Sequence, residues 1–199
     1  TVHLREDRRH IQERDVQSLA EQLTVPLNLE MSLAEEMVGF AVAVAPPHCC
    51  LVPERREELT TEGGLDVAGQ QDRVRAAVER LAAAGVRVSL FIDPDDRQLE
   101  AALAVGAPAI EIHTGEYADR PERMDALAAE IRGFAQRASR AGLDVHAGHG
   151  LHLDNVGPIA AIGEITELNI GHFLIARALF IGLPAAVAEM KQRMVAARS

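Results

Sequence analysis

The feature that most constrains this chain is a repeated alternation between short apolar segments and segments of helical periodicity. Seven apolar segments have the length of β-strands, and each ends in polar residues. Strands that alternate with helices predict right-handed β–α–β units and a parallel sheet. The predicted strands lie within residues 1–5, 26–31, 48–54, 86–93, 108–115, 143–150 and 166–172.

Helical periodicity between the strands is clearest over residues 70–85. Val74, Val78 and Leu81 lie on one face of this segment, and Gly85 provides a C-terminal stop signal. Further helices are predicted within residues 93–106, 121–142 and 183–198.

The repeat predicts an α/β fold with a single domain over residues 1–199, because no proline- or glycine-rich linker divides the chain. A closed parallel barrel has eight strands, whereas an open doubly wound sheet often has a glycine-rich phosphate turn after its first strand. No GxGxxG or GxxxxGK[ST] motif occurs. We therefore predict a TIM (β/α)8 barrel in which seven of the eight βα units are present and the N-terminal strand–helix unit is absent.

Net charge, apolar runs and cysteine content limit the partners and cellular setting that this chain is expected to have. The formal net charge of -10 disfavours nucleic acid as a partner. Apolar runs are too short for a membrane span, and the start of the sequence has no signal-peptide pattern. The adjacent Cys49 and Cys50 are interpreted as buried strand thiols in a reducing compartment.

Polar side chains recur at the carboxyl ends of the predicted strands, which is the face where barrel enzymes carry out their chemistry. Glu30 adjoins a core strand, so its carboxylate needs a partner or has a raised pKa, and either suits acid/base catalysis. Glu111 shares a strand face with His113, and a purely structural Glu–His pair is the alternative there. The full set is His3, Arg5, Glu30, Glu54, Asp93, Glu111, His113, His149 and His172.

Some strand-end residues have a simpler interpretation. We interpret Asp93 as a helix cap and Glu54, next to Arg55 and Arg56, as part of a solvated loop. His10 could be an ordinary surface residue. No metal site is predicted, because the sequence contains neither an HxH pair at a strand end nor an HExxH motif.

Glycines in AGHG, residues 147–150, and NIGH, residues 169–172, close the last two predicted strands. Glycine allows a backbone to approach a ligand closely, and the helix N-terminus after such a loop favours phosphate. In a barrel, the loops after the seventh and eighth strands are the usual phosphate site. The alternative is that Gly148 and Gly171 only permit tight turns.

A series of long motifs resembles the pyridoxine 5'-phosphate synthase family, from Thr1 to the C-terminal helix. The motifs are VHLREDRRHI, NLEM, CLVPERREELTTEGGLDV, SLFIDPD, AGHGL and ELNIGH. The resemblance implies a TIM-barrel transferase that closes the pyridine ring of vitamin B6. Its substrates would be 1-deoxy-D-xylulose 5-phosphate and 3-amino-2-oxopropyl phosphate, and its products pyridoxine 5'-phosphate, inorganic phosphate and water. It also implies no metal or redox cofactor, a cytoplasmic location and a homo-octamer.

The resemblance also assigns roles to residues of this chain. His3 and Glu30 match catalytic acid/base groups, His149 matches a proton donor, and Glu111 matches a transition-state stabiliser. The residues that match the pentulose phosphate site are Arg5, His10 and Thr60. Those that match the site for the aminoketone phosphate are Gly150, Gly171 and His172.

One departure from the family pattern leaves alternatives open. The Asn-x-Asp-His motif of the family's first strand does not occur, so we expect that unit to be lost, cleaved or outside the sequence. The alternatives are a truncated barrel that binds a phosphometabolite without catalysis, or another sugar-phosphate barrel such as an epimerase. A Schiff-base aldolase is disfavoured because the only lysine, Lys191, lies in the terminal helix. The apolar segment 172–183 could make oligomer contacts or pack in the core.

Overall fold

A computed structural model of the protein describes residues 1–54 and 63–199, and helices follow strands along both parts. The strands are β1 (Val2–His3), β2 (Asn28–Met31), β3 (His48–Leu51), β4 (Arg87–Ile92), β5 (Ala109–His113), β6 (Asp144–Gly148) and β7 (Ile165–Asn169). The α-helices are α1 (Glu13–Gln22), α2 (Glu35–Val44), α3 (Gln71–Ala83), α4 (Asp96–Ala104), α5 (Gly115–Asp119), α6 (Met124–Arg140), α7 (Val156–Ala160), α8 (His172–Ile181) and α9 (Leu183–Ala196). A short 3-10 helix, Pro121–Arg123, precedes α6.

The strands are hydrogen-bonded in chain order from β1 to β7, which confirms the predicted strand–helix alternation. The chain divides into two compact units, Thr1–Glu111 and Ile112–Ser199. Strand β5 contributes its first residues to the first unit and its last residues to the second. The closed eight-stranded barrel stays a prediction.

In the first unit, β1 to β4 pair in parallel, and their register aligns the candidate site residues. His3 pairs with Glu30, and Glu30 pairs with Cys50, so these residues form one row across neighbouring strands. Laterally paired residues of parallel strands point to the same face of a sheet. The register therefore places His3, Glu30 and Cys50 on one face.

In the second unit, β6 and β7 pair in parallel, with a register irregularity between Val145 and His146. Val156, Ala160 and Met190 form a buried cluster, against which Leu168 and Phe173 pack. This cluster joins α7 and α9 to the end of β7 and the start of α8. It therefore supports the turn that contains the predicted glycine loop at 169–172.

The predicted helix at 93–106 is present, but Asp93 is not its cap. Helix α4 begins at Asp96, and the side chain of Asp95 accepts a hydrogen bond from the backbone N–H of Gln98. Asp93 lies three residues before the first residue of α4, whereas the N-cap is the residue directly before the helix. The cap of α4 is therefore Asp95, two residues later than predicted from the sequence.

Helix α8 is apolar but contains no buried residue. Phe173 and Leu174 are partly buried against the cluster of the second unit. Leu179 and Phe180 are 82% and 85% exposed. Packing within the described chain therefore does not account for the apolar character of this segment. No helix among the described residues combines the length and apolar composition that a membrane crossing requires.

Candidate active site

His3 lies beside two carboxylates in the first unit. Its Nδ1 is 3.8 Å from Oε2 of Glu30, and its Nε2 is 2.8 Å from Oε1 of Glu54. An ionised carboxylate can only accept, so the Nε2–H of His3 donates to Glu54. The structure thus brings together the two predicted acid/base residues, His3 and Glu30, and adds a third.

Glu30 occupies an environment that favours its protonated form. About 23% of its side chain is exposed. Burial of the carboxylate raises its pKa above the ordinary value, and the nearby His3 opposes this shift only in part. A carboxyl group with a raised pKa keeps its proton to higher pH than an ordinary glutamate, which suits general acid/base catalysis.

Glu54 does not lie in a solvated loop, so the interpretation made from sequence is wrong. Only 4% of its side chain is exposed. Its second oxygen, Oε2, accepts a hydrogen bond of 2.9 Å from the backbone N–H of Glu6. Burial alone would raise the pKa of Glu54, but the hydrogen bonds from His3 and from Glu6 outweigh it and hold the pKa below its ordinary value. The available signal was its position at the carboxyl end of the third predicted strand, 48–54.

Glu111 is buried in the first unit and contacts Cys50, the last residue of the row formed by His3, Glu30 and Cys50. The thiol of Cys50 donates to Oε2 of Glu111 across 3.7 Å. Burial raises the pKa of the Cys50 thiol well above its usual range, and the charge of Glu111 raises it further. Cys50 therefore remains a neutral donor. The prediction of buried free thiols is confirmed for both Cys49 and Cys50.

A polar cavity of about 400 Å³ opens beside Glu54 in the first unit. Ser32 donates a 2.6 Å hydrogen bond to the Glu6 carboxylate at its wall. Gly64 passes so close to β4 that a Cβ there would lie 2.3 Å from the backbone N of Asp93. The cavity lining includes Glu6, Ser32, Glu54, Leu65, Asp66 and Arg73. The described residues contain no group of three His, Cys, Asp or Glu side chains that could hold a metal ion.

The predicted residues of the pentulose phosphate site are only partly located. Arg5 pairs with Asp7 at 3.4 Å, and only 15% of its side chain is exposed. His10 is exposed, as its surface interpretation anticipated. Thr60 lies outside the described residues. Arg5 is therefore mostly buried, two residues after the end of β1. The phosphate site itself stays a prediction.

His149 follows β6 in a strained conformation in the second unit. Its φ of +84° lies in the left-handed region, which a histidine adopts at an energetic cost. Its ring contacts that of His113 edge to face, with centroids 5.2 Å apart. Burial lowers the pKa of His149, and the neighbouring His113 lowers it further. The side chain is therefore neutral in the resting protein near neutral pH.

The backbone around His149 is held by buried polar groups. Thr114 Oγ1 lies 2.7 Å from the carbonyl of Gly148 and 2.5 Å from that of His149. Asn155 donates to the carbonyl of Gly150, and the hydroxyl of Tyr117 donates to the carbonyl of Asn155 at 2.6 Å. This network stabilises the strained turn.

Gly150 and Gly171 differ in backbone conformation and in the space that a Cβ would have. Gly150 has a φ of +71°, and an added Cβ would lie 2.5 Å from Cβ of Ala118. Gly171 has a φ of -98°, and an added Cβ would meet no described atom within 4 Å. The tight-turn interpretation therefore does not account for Gly171. His172 is exposed at the first turn of α8.

Comparison with known proteins identifies the family of this chain. The family model of the pyridoxal phosphate biosynthesis protein PdxJ matches residues 1–196. The chain belongs to this family. It is therefore a member of a biosynthetic enzyme family of vitamin B6, as the resemblance in the sequence implied.

Solved structures share the fold at low sequence identity. The Amycolatopsis orientalis BexX/CysO complex contains a chain with a TM-score of 0.63 and 18% identity, covering 97% of this chain and 75% of that one. The tryptophan synthase A-subunit of Pyrococcus furiosus has a TM-score of 0.60 and 12% identity, with 94% and 74% covered. A 4-hydroxy-2-oxoglutarate aldolase/2-deydro-3-deoxyphosphogluconate aldolase from TTHB1 has a TM-score of 0.59 and 17% identity, with 94% and 78% covered. These similarities show a TIM-barrel-like fold.

Proposed function

We propose that the protein is a pyridoxine 5'-phosphate synthase of the cytoplasm. It condenses 1-deoxy-D-xylulose 5-phosphate with 3-amino-2-oxopropyl phosphate and releases pyridoxine 5'-phosphate, inorganic phosphate and water. Family membership supports the pathway, and the chemistry of the site supports the reaction type. The reaction needs no metal or redox cofactor, because imine formation, elimination and ring closure proceed by proton transfers alone.

The observation that carries this proposal is the placement of His3 between Glu30 and Glu54. The environments of the two carboxylates move their pKa values in opposite directions. Such a separation assigns one group to proton transfer and the other to charge stabilisation. Loss of phosphate, loss of water and ring closure each require a proton to be taken up or released. His3 and Glu30 are the groups we propose for these transfers.

His149 and Glu111 supply the remaining proton chemistry in the proposal. A histidine with a lowered pKa gives up its proton readily once it is charged, which suits a proton donor. Glu111 is buried and accepts a hydrogen bond from the Cys50 thiol, and a buried carboxylate interacts strongly with positive charge that develops in a transition state. We assign it the role of transition-state stabiliser.

The two substrate phosphates are assigned to different residues. Arg5 offers a planar guanidinium that matches phosphate oxygens, and His10 and Thr60 complete the proposed pentulose phosphate site. Gly171 leaves its backbone open at the N-terminus of α8, where a helix favours an anion. Gly150 and His172 join it in the proposed site for the aminoketone phosphate.

The test is product formation by the purified protein. The protein is mixed with both substrates and a chelator, and pyridoxine 5'-phosphate is followed by its ultraviolet absorbance. Product identifies the reaction and shows that no chelatable metal is required. A protein of confirmed intact mass that binds either substrate without turnover contradicts the proposal in favour of a binding protein. Epimerisation of a pentose phosphate would favour the alternative barrel enzyme.

A further inference from the structure

We propose that Glu54 is the positioning residue of the acid/base centre: it fixes the proton of His3 on Nε2 and leaves Nδ1 as the atom that exchanges protons on the Glu30 side. This inference rests on the proposed function for its catalytic consequence. The arrangement of side chains on which it depends is visible in the resting protein.

Glu54 is held in place by hydrogen bonds to both of its carboxylate oxygens. Its Oε1 accepts from His3 Nε2 at 2.8 Å, and its Oε2 accepts from the backbone N–H of Glu6 at 2.9 Å. Glu6 is held in turn, because its carboxylate accepts a 2.6 Å hydrogen bond from Ser32. Both oxygens of Glu54 are thus engaged, and its side chain is almost fully buried. Charge-assisted hydrogen bonds of this kind are about twice as strong as neutral ones.

The contact with Glu54 decides which nitrogen of His3 carries the proton. A neutral imidazole has one N–H donor and one acceptor nitrogen, and the hydrogen bond of one nitrogen decides the state of the other. Because the Glu54 carboxylate can only accept, Nε2 carries a proton, and in the neutral ring Nδ1 then carries the lone pair. Nδ1 lies 3.8 Å from Oε2 of Glu30. A modest approach of these two groups, or one intervening substrate atom, allows a proton to pass between them.

The charge of the His3 ring changes during each proton transfer, and Glu54 balances it. When Nδ1 of His3 takes a proton from the substrate or from Glu30, the ring becomes an imidazolium with N–H groups on both nitrogens. The negative charge of Glu54 stabilises that ion without itself accepting a proton. When Nδ1 returns the proton, the ring is again neutral with its proton on Nε2. The cycle therefore starts and ends in the same state, as a group that serves several successive proton transfers must.

The experiment compares Glu54→Gln with Asp66→Asn. Asp66 lines the same cavity, but its side chain accepts hydrogen bonds from Gln98 and Gly69 rather than from His3. The ring nitrogens of His3 are observed by ¹⁵N NMR in the resting protein, and kcat and KM are measured with both substrates. We expect the wild type and Asp66→Asn to hold the Nε2–H tautomer. We expect Glu54→Gln to lose the single tautomer and to lose kcat by about 10²-fold or more, with KM nearly unchanged.

A second variant covers the case in which Glu54→Gln does not fold. Glu54→Asp keeps the charge and withdraws it by one methylene, so we expect the Nε2–H tautomer to persist with an intermediate kcat. The inference is overturned if both variants keep the wild-type ¹⁵N signals of His3 and the wild-type kcat. If the wild type forms no product, the proposed function fails, and the NMR result alone decides whether Glu54 fixes the tautomer.

Discussion

At the residue scale, His3 owes its chemistry to two carboxylates that differ in their surroundings. Burial raises the pKa of Glu30, and the neighbouring His3 opposes this shift only in part. The side chain of Glu54 is less exposed than that of Glu30, but two hydrogen bonds stabilise its ionised form. The same side-chain chemistry therefore yields a proton carrier on one side of His3 and a fixed negative charge on the other.

Replacing Glu30 tests the proton carrier. Glu30→Gln keeps the shape of the side chain and removes its titratable group, so we expect a folded protein with kcat reduced by about 10²- to 10⁴-fold. Product formation is followed by ultraviolet absorbance, and the fold is checked by circular dichroism. Wild-type turnover in this variant would remove Glu30 from the mechanism.

The raised pKa of Glu30 also predicts a pH dependence of stability. An unfolded glutamate ionises at a pKa of about 4.3, whereas the folded chain holds its proton to higher pH. The unfolded state therefore releases this proton first, and the wild type loses stability as pH rises from that value through the raised pKa. Glu30→Gln lacks this loss. The free energy of unfolding of both proteins is measured against pH, and a constant difference between them would contradict the assignment.

The two loop glycines predict opposite outcomes for the same substitution. Gly150→Ala forces a Cβ against Ala118 at a positive φ, so we expect a loss of about 1–3 kcal/mol in the free energy of unfolding. Gly171→Ala meets open space at a negative φ, so its stability should change by no more than about 0.5 kcal/mol. If the Gly171 backbone approaches a phosphate, KM for the aminoketone phosphate rises in the second variant. Chemical denaturation and steady-state kinetics measure both effects.

At the element scale, Gln98 ties residues 66–68 to helix α4. Its Oε1 accepts from the backbone N–H groups of Val67 and Ala68, and its Nε2 donates to Asp66. Asp95 caps the same helix through the backbone N–H of Gln98. One side chain thus satisfies backbone groups of an irregular segment that forms a wall of the cavity.

Breaking this connection should destabilise the protein. Gln98→Leu leaves the buried N–H of Val67 without its acceptor, and we expect a loss of about 1–3 kcal/mol in the free energy of unfolding. Arg97→Leu is the matched control on the same helix, because the Arg97 side chain is 69% exposed and its ion pair with Asp66 spans 3.8 Å. Denaturant titration compares the two variants. Equal stabilities would show that Gln98 does not anchor the segment.

At the scale of the whole molecule, the apolar surface of α8 and α9 supports the proposal of a homo-oligomer. Leu179 and Phe180 are neighbours in the chain, and Leu183 and Val187 continue the exposed apolar surface into α9. Contiguous exposed patches of this kind are typical of protein–protein contacts. We propose that a second copy of the chain covers this surface, as the octamer implied by the family resemblance would provide.

Sedimentation tests the assembly. We expect the wild type to sediment well above the mass of one 21.5 kDa chain. The double variant Leu179→Ser with Phe180→Ser removes two large apolar side chains from the surface and should shift the protein to smaller species. Val25→Ser, at an exposed apolar residue of the first unit, is the control and should leave the mass unchanged. A wild type that sediments as one chain at high concentration would contradict the proposal.

Much of the fold follows from local patterns, because hydrophobic periodicity acts over a few residues. The seven strands lie where the apolar segments predicted them, and α3 occupies the segment 71–83 of the helix predicted at 70–85. Glu30 and His3 also followed from sequence, since side chains at the ends of neighbouring parallel strands point to the same face. The closed barrel, the oligomer and the substrate phosphates depend on contacts beyond those described, and they stay predictions.

Tertiary contacts decided what local patterns left open. Asp95 rather than Asp93 caps α4, because the choice depends on the residue at which the helix begins. Glu54 looked like a solvated loop residue because two arginines follow it, yet its side chain meets His3 from 51 positions away in the chain. No periodicity encodes such a contact. The residue types of the acid/base centre could be recognised from the sequence, but the partner that orients its histidine is defined only when β1 and the end of β3 are brought together.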